Sequence, residues 1–364
     1  MDSKRKMFVY GGIIGLIAAI LMKLGNPGNM GICIACFWRD IAGALGLHKA
    51  EVVQYIRPEI IGIIFGAFSI SYLTNDFKSK GGSSPLLRFV LGFFLMIGAL
   101  VFLGCPLRMI LRLANGDLNA LVGLLGYVTG IFIGVQFLKK GYTLGKSFDQ
   151  PKITGFIFPL IALVLLIFLV IKPAFILFST EGPGSMGAPI IISLVLGAVV
   201  GICLQRSRIC TAGGFRDMFL IKDTHFLLGI LGIFVFTLLG NLVLNIDKFN
   251  FGFINQPVAH TDGLWNFLGM SLVGLCSVLL GGCPIRQTIL ASQGDSDAGI
   301  TVFGLIAGAA FSHNFGLAAS AKGVTANGKL SVIIGLVFVI LVSYGVLIGN
   351  RKTDKLNKGV STNV

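Results

Sequence analysis

Ten apolar runs, each close to 20 residues long, punctuate this sequence at 7–24, 56–74, 88–104, 118–138, 153–171, 188–204, 226–246, 265–281, 298–318 and 330–349. About 20 helical residues cross the hydrocarbon core of a bilayer, and that core offers no water to a backbone N–H or C=O, so runs of this length must become helices. Composition supports this: 55% of residues are apolar and only 12% charged, about half the soluble share. The expected fold class is an all-α polytopic membrane protein with about ten transmembrane helices. Seven cysteines in 364 residues are too sparse for a disulfide scaffold. The opening Lys4, Arg5 and Lys6, followed by an apolar run to Met22, read as a first span rather than a cleaved signal, because no small-x-small site follows.

The net charge of +14 does not indicate nucleic acid, since Lys and Arg are not gathered on one helix or tail. It follows membrane sidedness instead. With the N-terminus inside, ten alternating spans put 19 of the 29 basic residues on the inner side and 10 on the outer. Lys139, Lys140, Lys146 and Lys152 form one inner cluster and Arg351, Lys352, Lys355 and Lys358 another, whereas the segment around Glu181 carries only Lys172. A cell inner membrane protein with both termini cytoplasmic is expected.

Four semi-apolar stretches, 28–47, 105–115, 209–221 and 283–293, are too short to cross and too apolar for a watery loop. They read as re-entrant segments, tolerated at membrane depth only when buried in protein or lining a wet cavity. They also belong to an internal repeat spaced by 177 to 178 residues. Ile32-Cys33, Phe37 and Arg39-Asp40 recur as Ile209-Cys210, Phe215 and Arg216-Asp217. Gly104-Cys105-Pro106-Leu107-Arg108, then Gly116-Asp117, recurs as Gly282-Cys283-Pro284-Ile285-Arg286, then Gly294-Asp295. Five spans separate the copies, and an odd number inverts the second, a transporter plan that builds binding sites from broken helices. The expected division is a first repeat at 1–152, a linking helix and loop at 153–187, a second inverted repeat with a final span at 188–350, and a basic cytoplasmic tail at 351–364. Glycines spaced by four, as at Gly126 and Gly130 or Gly62 and Gly66, suit close helix packing.

In Gly-Cys-Pro-x-Arg the glycine ends a span and the proline suits the first position of a new helix, placing Cys105 and Cys283 at N-caps. A half-helix starting inside the membrane turns its unpaired N–H groups toward a cavity, and Arg108 and Arg286 add full charges there. An arginine at the bilayer centre costs about 2.5–3.5 kcal/mol, so such sites make sense when an anion visits them. The alternative is that Asp117 and Asp295, or Asp40 and Asp217, neutralise the arginines. Asp117 and Asp295 look like helix caps. Asp40 and Asp217, adjacent to their arginines, are not expected to share a helical face with them.

Cys33, Cys105, Cys210 and Cys283 occupy matched positions beside these positive ends, a setting that activates thiols and suits a sulfur- or selenium-containing anion able to accept an S–H contact or undergo thiol exchange. Cys203 and Cys276 are unmatched and read as packing. Cys33-x-x-Cys36 has redox-dithiol spacing, but Gly213 stands opposite Cys36. His48, His225, His260 and His313 are scattered singly, each read as a solvated loop residue or a satisfied core one, so neither a metal nor a cofactor is expected.

The segments Gly-Asn-Pro-Gly-Asn-Met-Gly-Ile-Cys-Ile-Ala-Cys-Phe (25–37), Leu-Gly-Cys-Pro-Leu-Arg (103–108) and Gly-Gly-Cys-Pro-Ile-Arg-Gln (281–287) resemble the YeeE/YedE family of bacterial sulfur transporters, most closely its YedE subgroup of selenium transporters. The resemblance implies an hourglass-shaped inverted-repeat fold that takes up thiosulfate-like anions through a narrow midplane, with Cys33, Cys105 and Cys283 as relay thiols. It also implies a small soluble sulfur-carrier protein as a partner. The expected function is non-enzymatic uptake of a small sulfur or selenium anion, with Cys33, Cys36, Arg39, Cys105 and Arg108 lining an outer vestibule and Cys210, Arg216, Cys283 and Arg286 an inner one. Two other readings stand beside it: a membrane thiol oxidoreductase using Cys33 and Cys36, and a channel for simple inorganic anions.

Overall fold

A computed structural model describes residues 3–361, with side chains to 350. The side chains of the basic stretch 351–364 lie outside the described residues. The described residues form fourteen α-helices: α1 (Ser3–Lys23), α2 (Ile34–Ala44), α3 (Pro58–Leu73), α4 (Pro85–Phe102), α5 (Pro106–Leu113), α6 (Leu118–Lys139), α7 (Lys152–Ile171), α8 (Ile190–Ser207), α9 (Thr211–Ile221), α10 (His225–Leu244), α11 (Gly263–Leu279), α12 (Pro284–Ser292), α13 (Ser296–Asn314) and α14 (Ala326–Ser361). The helix starts are written locally. Pro58, Pro85, Pro106 and Pro284 each open a helix, where the missing N–H is no loss. Asp117 and Asp295 cap α6 and α13, accepting from the backbone N–H of Asn119 and Ala298.

Nine segments among the described residues are long and apolar enough to cross a membrane. The tenth expected span, 298–318, is α13, whose 19 residues include Asp297, His313 and Asn314 near the ends. It packs along α4 and holds the place in the second repeat that α6 holds in the first. The four re-entrant stretches are the short helices α2, α5, α9 and α12. This is an all-α, multi-pass membrane protein.

Helix packing crosses between the repeats. The main pairs are α1 with α10, α3 with α8, α4 with α13 and α6 with α11, so each helix lies against the counterpart of another helix from its own half. Glycines allow the approach. A methyl on Gly126 would collide with the carbonyl of Phe267 and one on Gly62 with that of Leu194. Gly11 meets Gly229 and Gly15 meets Ile233, so α1 and α10 run in the same direction. The repeat symmetry fails at the periphery: α7 packs on α3 and α12, whereas α14 packs on α4 and α11.

The two ends differ. At one, the Asn350 side chain reaches the carbonyl of Thr143 at 3.3 Å, joining the close of the apolar stretch of α14 to the loop that carries Lys146. At the other, Arg57 donates to the carbonyls of Pro183 and Met186 at 2.7 and 2.8 Å, and the Ala188 N–H donates to Asn26 just past α1. Since α1 ends there, its start lies at the Lys146 end, the same end as Asn350 of α14.

Candidate functional site

Each half-helix begins on a cysteine. Cys33, Cys105, Cys210 and Cys283 are the N-cap residues of α2, α5, α9 and α12. Cys33 and Cys210 accept from the N–H groups of Cys36 and Gly213 at 3.4 and 3.3 Å, whereas Cys105 and Cys283 make no side-chain cap bond. The left-handed turn that ends the span before each Gly-Cys-Pro falls one residue earlier than the sequence suggests, at Leu103 and Gly281. Gly104 and Gly282 serve a different purpose: a Cβ there would lie 2.9 Å from Arg108 Cδ and 2.8 Å from Arg286 Cγ. The missing side chain lets the arginine stem lie back across the backbone.

Six of the nine residues singled out gather in two groups, Cys33, Cys36, Cys105 and Arg108 in one and Cys210 and Cys283 in the other, whereas Arg39 and Arg216 bond to their neighbouring aspartates instead. In the first, Cys33 Sγ lies 2.8 Å from Cys36 Sγ and 3.8 Å from Cys105 Sγ. Arg108 Nη1 reaches Cys36 Sγ at 3.7 Å. The rest of its guanidinium donates to carbonyls of Asn29 at 2.8 Å, Val258 at 3.3 Å and Leu103. In the second cluster Cys210 Sγ lies 3.6 Å from Cys283 Sγ. Tyr127 and Thr211 share a hydroxyl contact of 3.1 Å beside it. Cys203 and Cys276 are buried, and neither makes a sulfur–sulfur contact with the two groups.

The arginines divide into two kinds. Arg108 is fully buried and, among the described residues, no carboxylate pairs with it; Arg286 likewise has no ion pair among them, its Nη1 lacking any hydrogen bond. Arg39 and Arg216, by contrast, are paired with the adjacent Asp40 and Asp217 at 2.6 and 2.8 Å, contrary to expectation. Successive side chains leave a helix about 100° apart, but arginine is long enough to curl back onto its neighbour's carboxylate through Nε. Asp40 also binds Arg57 at 2.7 Å. Two arginines sharing one carboxylate leave a net positive charge, and Arg108 beside the buried Arg112–Asp117 pair, 2.7 Å long, leaves another.

Arg57 and Arg112 escaped the sequence reading, and His48 and His313 were read there as isolated residues. Arg57 and Arg112 have no repeat partner, since Phe234 and Leu290 occupy the matching positions. His48 Nδ1 accepts from the Ala50 N–H at 3.3 Å, so its Nε2 carries the proton and donates to the carbonyl of Arg39 at 3.0 Å. Burial holds this imidazole below its ordinary pKa, consistent with a neutral ring. The histidines are not all isolated: the His48 and His313 rings stack with centroids 4.5 Å apart. Among the described residues no three His, Cys, Asp or Glu side chains are arranged to hold a metal ion. A cavity of about 280 Å³ opens beside Arg39, walled by Leu100, Leu103, Val258 and His313.

A chain with paired thiols at half-helix starts and arginines lacking counter-charges has relatives of known type. The family model described as sulphur transport matches residues 206–355. Over that stretch the chain is similar to sulphur transport proteins. This agrees with the YeeE/YedE resemblance carried by the cysteine motifs. Two curated relatives are each named thiosulfate transporter TsuA: one from Spirochaeta thermophila, 33% identical over 101 residues, and one from Escherichia coli, 29% identical over 121 residues. The matches cover 28% and 32% of this chain and 29% and 32% of the relatives, so the chain is matched over less than a third of either. The matched stretch begins just ahead of Cys210 and includes both Cys210 and Cys283.

Proposed function

We propose that this protein carries a small sulfur-containing oxyanion of the thiosulfate type across the inner membrane, from the first cysteine cluster to the second, without catalysing a reaction. One observation carries the reading: Arg108, fully buried, has no carboxylate partner and sits against Cys36. A guanidinium in such a place is costly until an anion neutralises it, and thiols supply soft S–H donors to a terminal sulfur. The names of the two relatives point to the same cargo class, and a selenium oxyanion fits the same donors. The helix directions support inverted repeats. α1 runs toward the Glu181 end and α3 starts from it, while α10, the counterpart of α3, runs parallel to α1. Cluster one then faces outward and cluster two inward, with both termini cytoplasmic and a sulfur-carrier protein receiving cargo at the inner face.

Uptake of thiosulfate, selenite, sulfite and sulfate into proteoliposomes, measured side by side, tests this. Saturable thiosulfate or selenite uptake that exceeds sulfate uptake is expected; equal flux of all four with chloride would indicate a general anion channel. The 2.8 Å approach of Cys33 and Cys36 favours a second reading, a membrane dithiol oxidoreductase, and quinone reduction by the purified protein would establish it.

A further inference from the structure

The two thiol clusters are not equal, and the internal repeat shows where they differ. Tyr127 of α6, Thr211 of α9 and Ser277 of α11 bring three buried hydroxyls to the second cluster. The Tyr127 and Thr211 hydroxyls share one contact of 3.1 Å, and Thr211 also faces Cys283. Ser277 Oγ lies beside the Tyr127 phenol and makes no hydrogen bond of its own. The contact between Tyr127 and Thr211 uses one of their two protons, so donors are left over. Buried polar atoms without partners are rare in native proteins and mark places where a ligand or water belongs. At the repeat spacing, Leu305, Ile34 and Ala99 hold the matching positions beside the first cluster, all buried and none with a side-chain donor. Packing keeps that register: a Cβ on Gly126 of α6 would meet the carbonyl of Phe267, and one on Gly304 of α13 that of Phe89, so Tyr127 and Leu305 correspond. Conversely, Cys36 of the first cluster is matched by Gly213 in the second. The first cluster thus offers three thiols and no hydroxyl from these positions, the second two thiols and three hydroxyls. The hydroxyls sit on rigid elements. A Cβ on Gly274 would fall 2.3 Å from the Tyr127 carbonyl, which puts α11 in backbone contact with α6, and the Phe215 ring meets the Tyr127 ring edge-on at 6.3 Å.

We propose that Tyr127, Thr211 and Ser277 are specificity-determining residues of the second cluster, their hydroxyls donating to the oxygens of a thiosulfate-type anion while Cys210 and Cys283 meet its terminal sulfur. The proposal rests on the transport reading above. A hydroxyl is a good donor to an anionic oxygen and a thiol a weak one. The first cluster therefore holds the soft end of the anion, and the second holds both ends. Arg286, with Nη1 unpaired, supplies charge there.

The test is uptake of thiosulfate and of selenite into proteoliposomes, with KM and maximal rate separated, for wild type, Thr211→Val, Thr211→Ser, Ser277→Ala and Cys105→Ser. Val copies the shape of Thr and removes the hydroxyl, whereas Ser keeps the hydroxyl and loses the methyl. A packing role and a donor role therefore predict opposite rank orders. For the anion that wild type carries, Thr211→Val and Ser277→Ala are each expected to lower the maximal rate about ten-fold with KM within about two-fold, because the first cluster is untouched, and Thr211→Ser to stay within about two-fold of wild type. Thr211→Val transporting as well as Thr211→Ser, or Ser277→Ala transporting at the wild-type rate, overturns the hydroxyl assignment; lost uptake in Cys105→Ser in the same experiment leaves the transport reading standing. If wild type carries neither anion, the transport reading fails and the assignment fails with it. Should Thr211→Val not purify as a folded species, Ser277→Ala decides alone, since Ser277 makes no hydrogen bond whose loss could unfold the protein.

Discussion

Replacing Arg108 with Gln separates an anion site from a structural ion pair, because the two roles predict opposite outcomes. The guanidinium donates to three backbone carbonyls and contacts Cys36, with no carboxylate near it. A hydrogen bond to a charged group contributes about 1.5–3 kcal/mol, and 1.4 kcal/mol is a factor of ten, so binding of the anion should weaken by about 10- to 100-fold. Stability should change far less. A glutamine amide can satisfy two of the three carbonyls, leaving one unpaired at about 1–3 kcal/mol, while removing an uncompensated charge from the membrane returns about 2.5–3.5 kcal/mol. These terms nearly cancel. Radiolabelled thiosulfate binding to purified protein, with thermal unfolding followed in parallel, reads both quantities. Arg108→Lys should recover only part of the affinity, since it supplies charge without the planar fork. Retained affinity with collapsed stability in the Gln variant would refute the reasoning.

Cys105→Ser should fold normally, since Cys105 makes no cap bond to lose, yet lose most uptake; Cys203→Ser, at a position where the other repeat carries Asn26, should transport like wild type, and the comparison is made by uptake rate. Asp40→Asn strands two buried guanidiniums and should destabilise the protein by about 3–5 kcal/mol, seen as a lower midpoint in thermal unfolding. Single cysteines replacing Lys146 and Glu181, in a background without reactive thiols, should label from opposite sides of the membrane; same-side labelling would contradict the helix directions.

Legibility in the sequence followed the physics of each feature. The four half-helices were visible because a cysteine recurring at one spacing, ahead of a proline at Cys105 and Cys283, marks a local start, and local starts depend on neighbouring residues only. Arg108 and Arg286 were visible through the same repeat. Arg57 and Arg112 were not, because nothing repeats them and their partners come from packing. The pairing of Arg39 with Asp40 was misjudged by treating side chains as short spokes; arginine's reach outruns the angle between adjacent positions. The His48–His313 stack joins residues 265 apart, a contact that no local pattern encodes.

The exchange of partners between the two halves bears on how the chain is made. During synthesis α1 enters the membrane with Gly11 and Gly15 exposed on a face whose partner, α10, begins at His225, and α3 waits similarly for α8. The first half emerges with its chief contacts unmade, so it must persist as loosely associated helices until the second half arrives and the two close together. A truncated first half would therefore present unpaired glycine-lined faces to lipid, an attractive substrate for membrane quality control, and the ordering of both cysteine clusters becomes one of the last events in biogenesis.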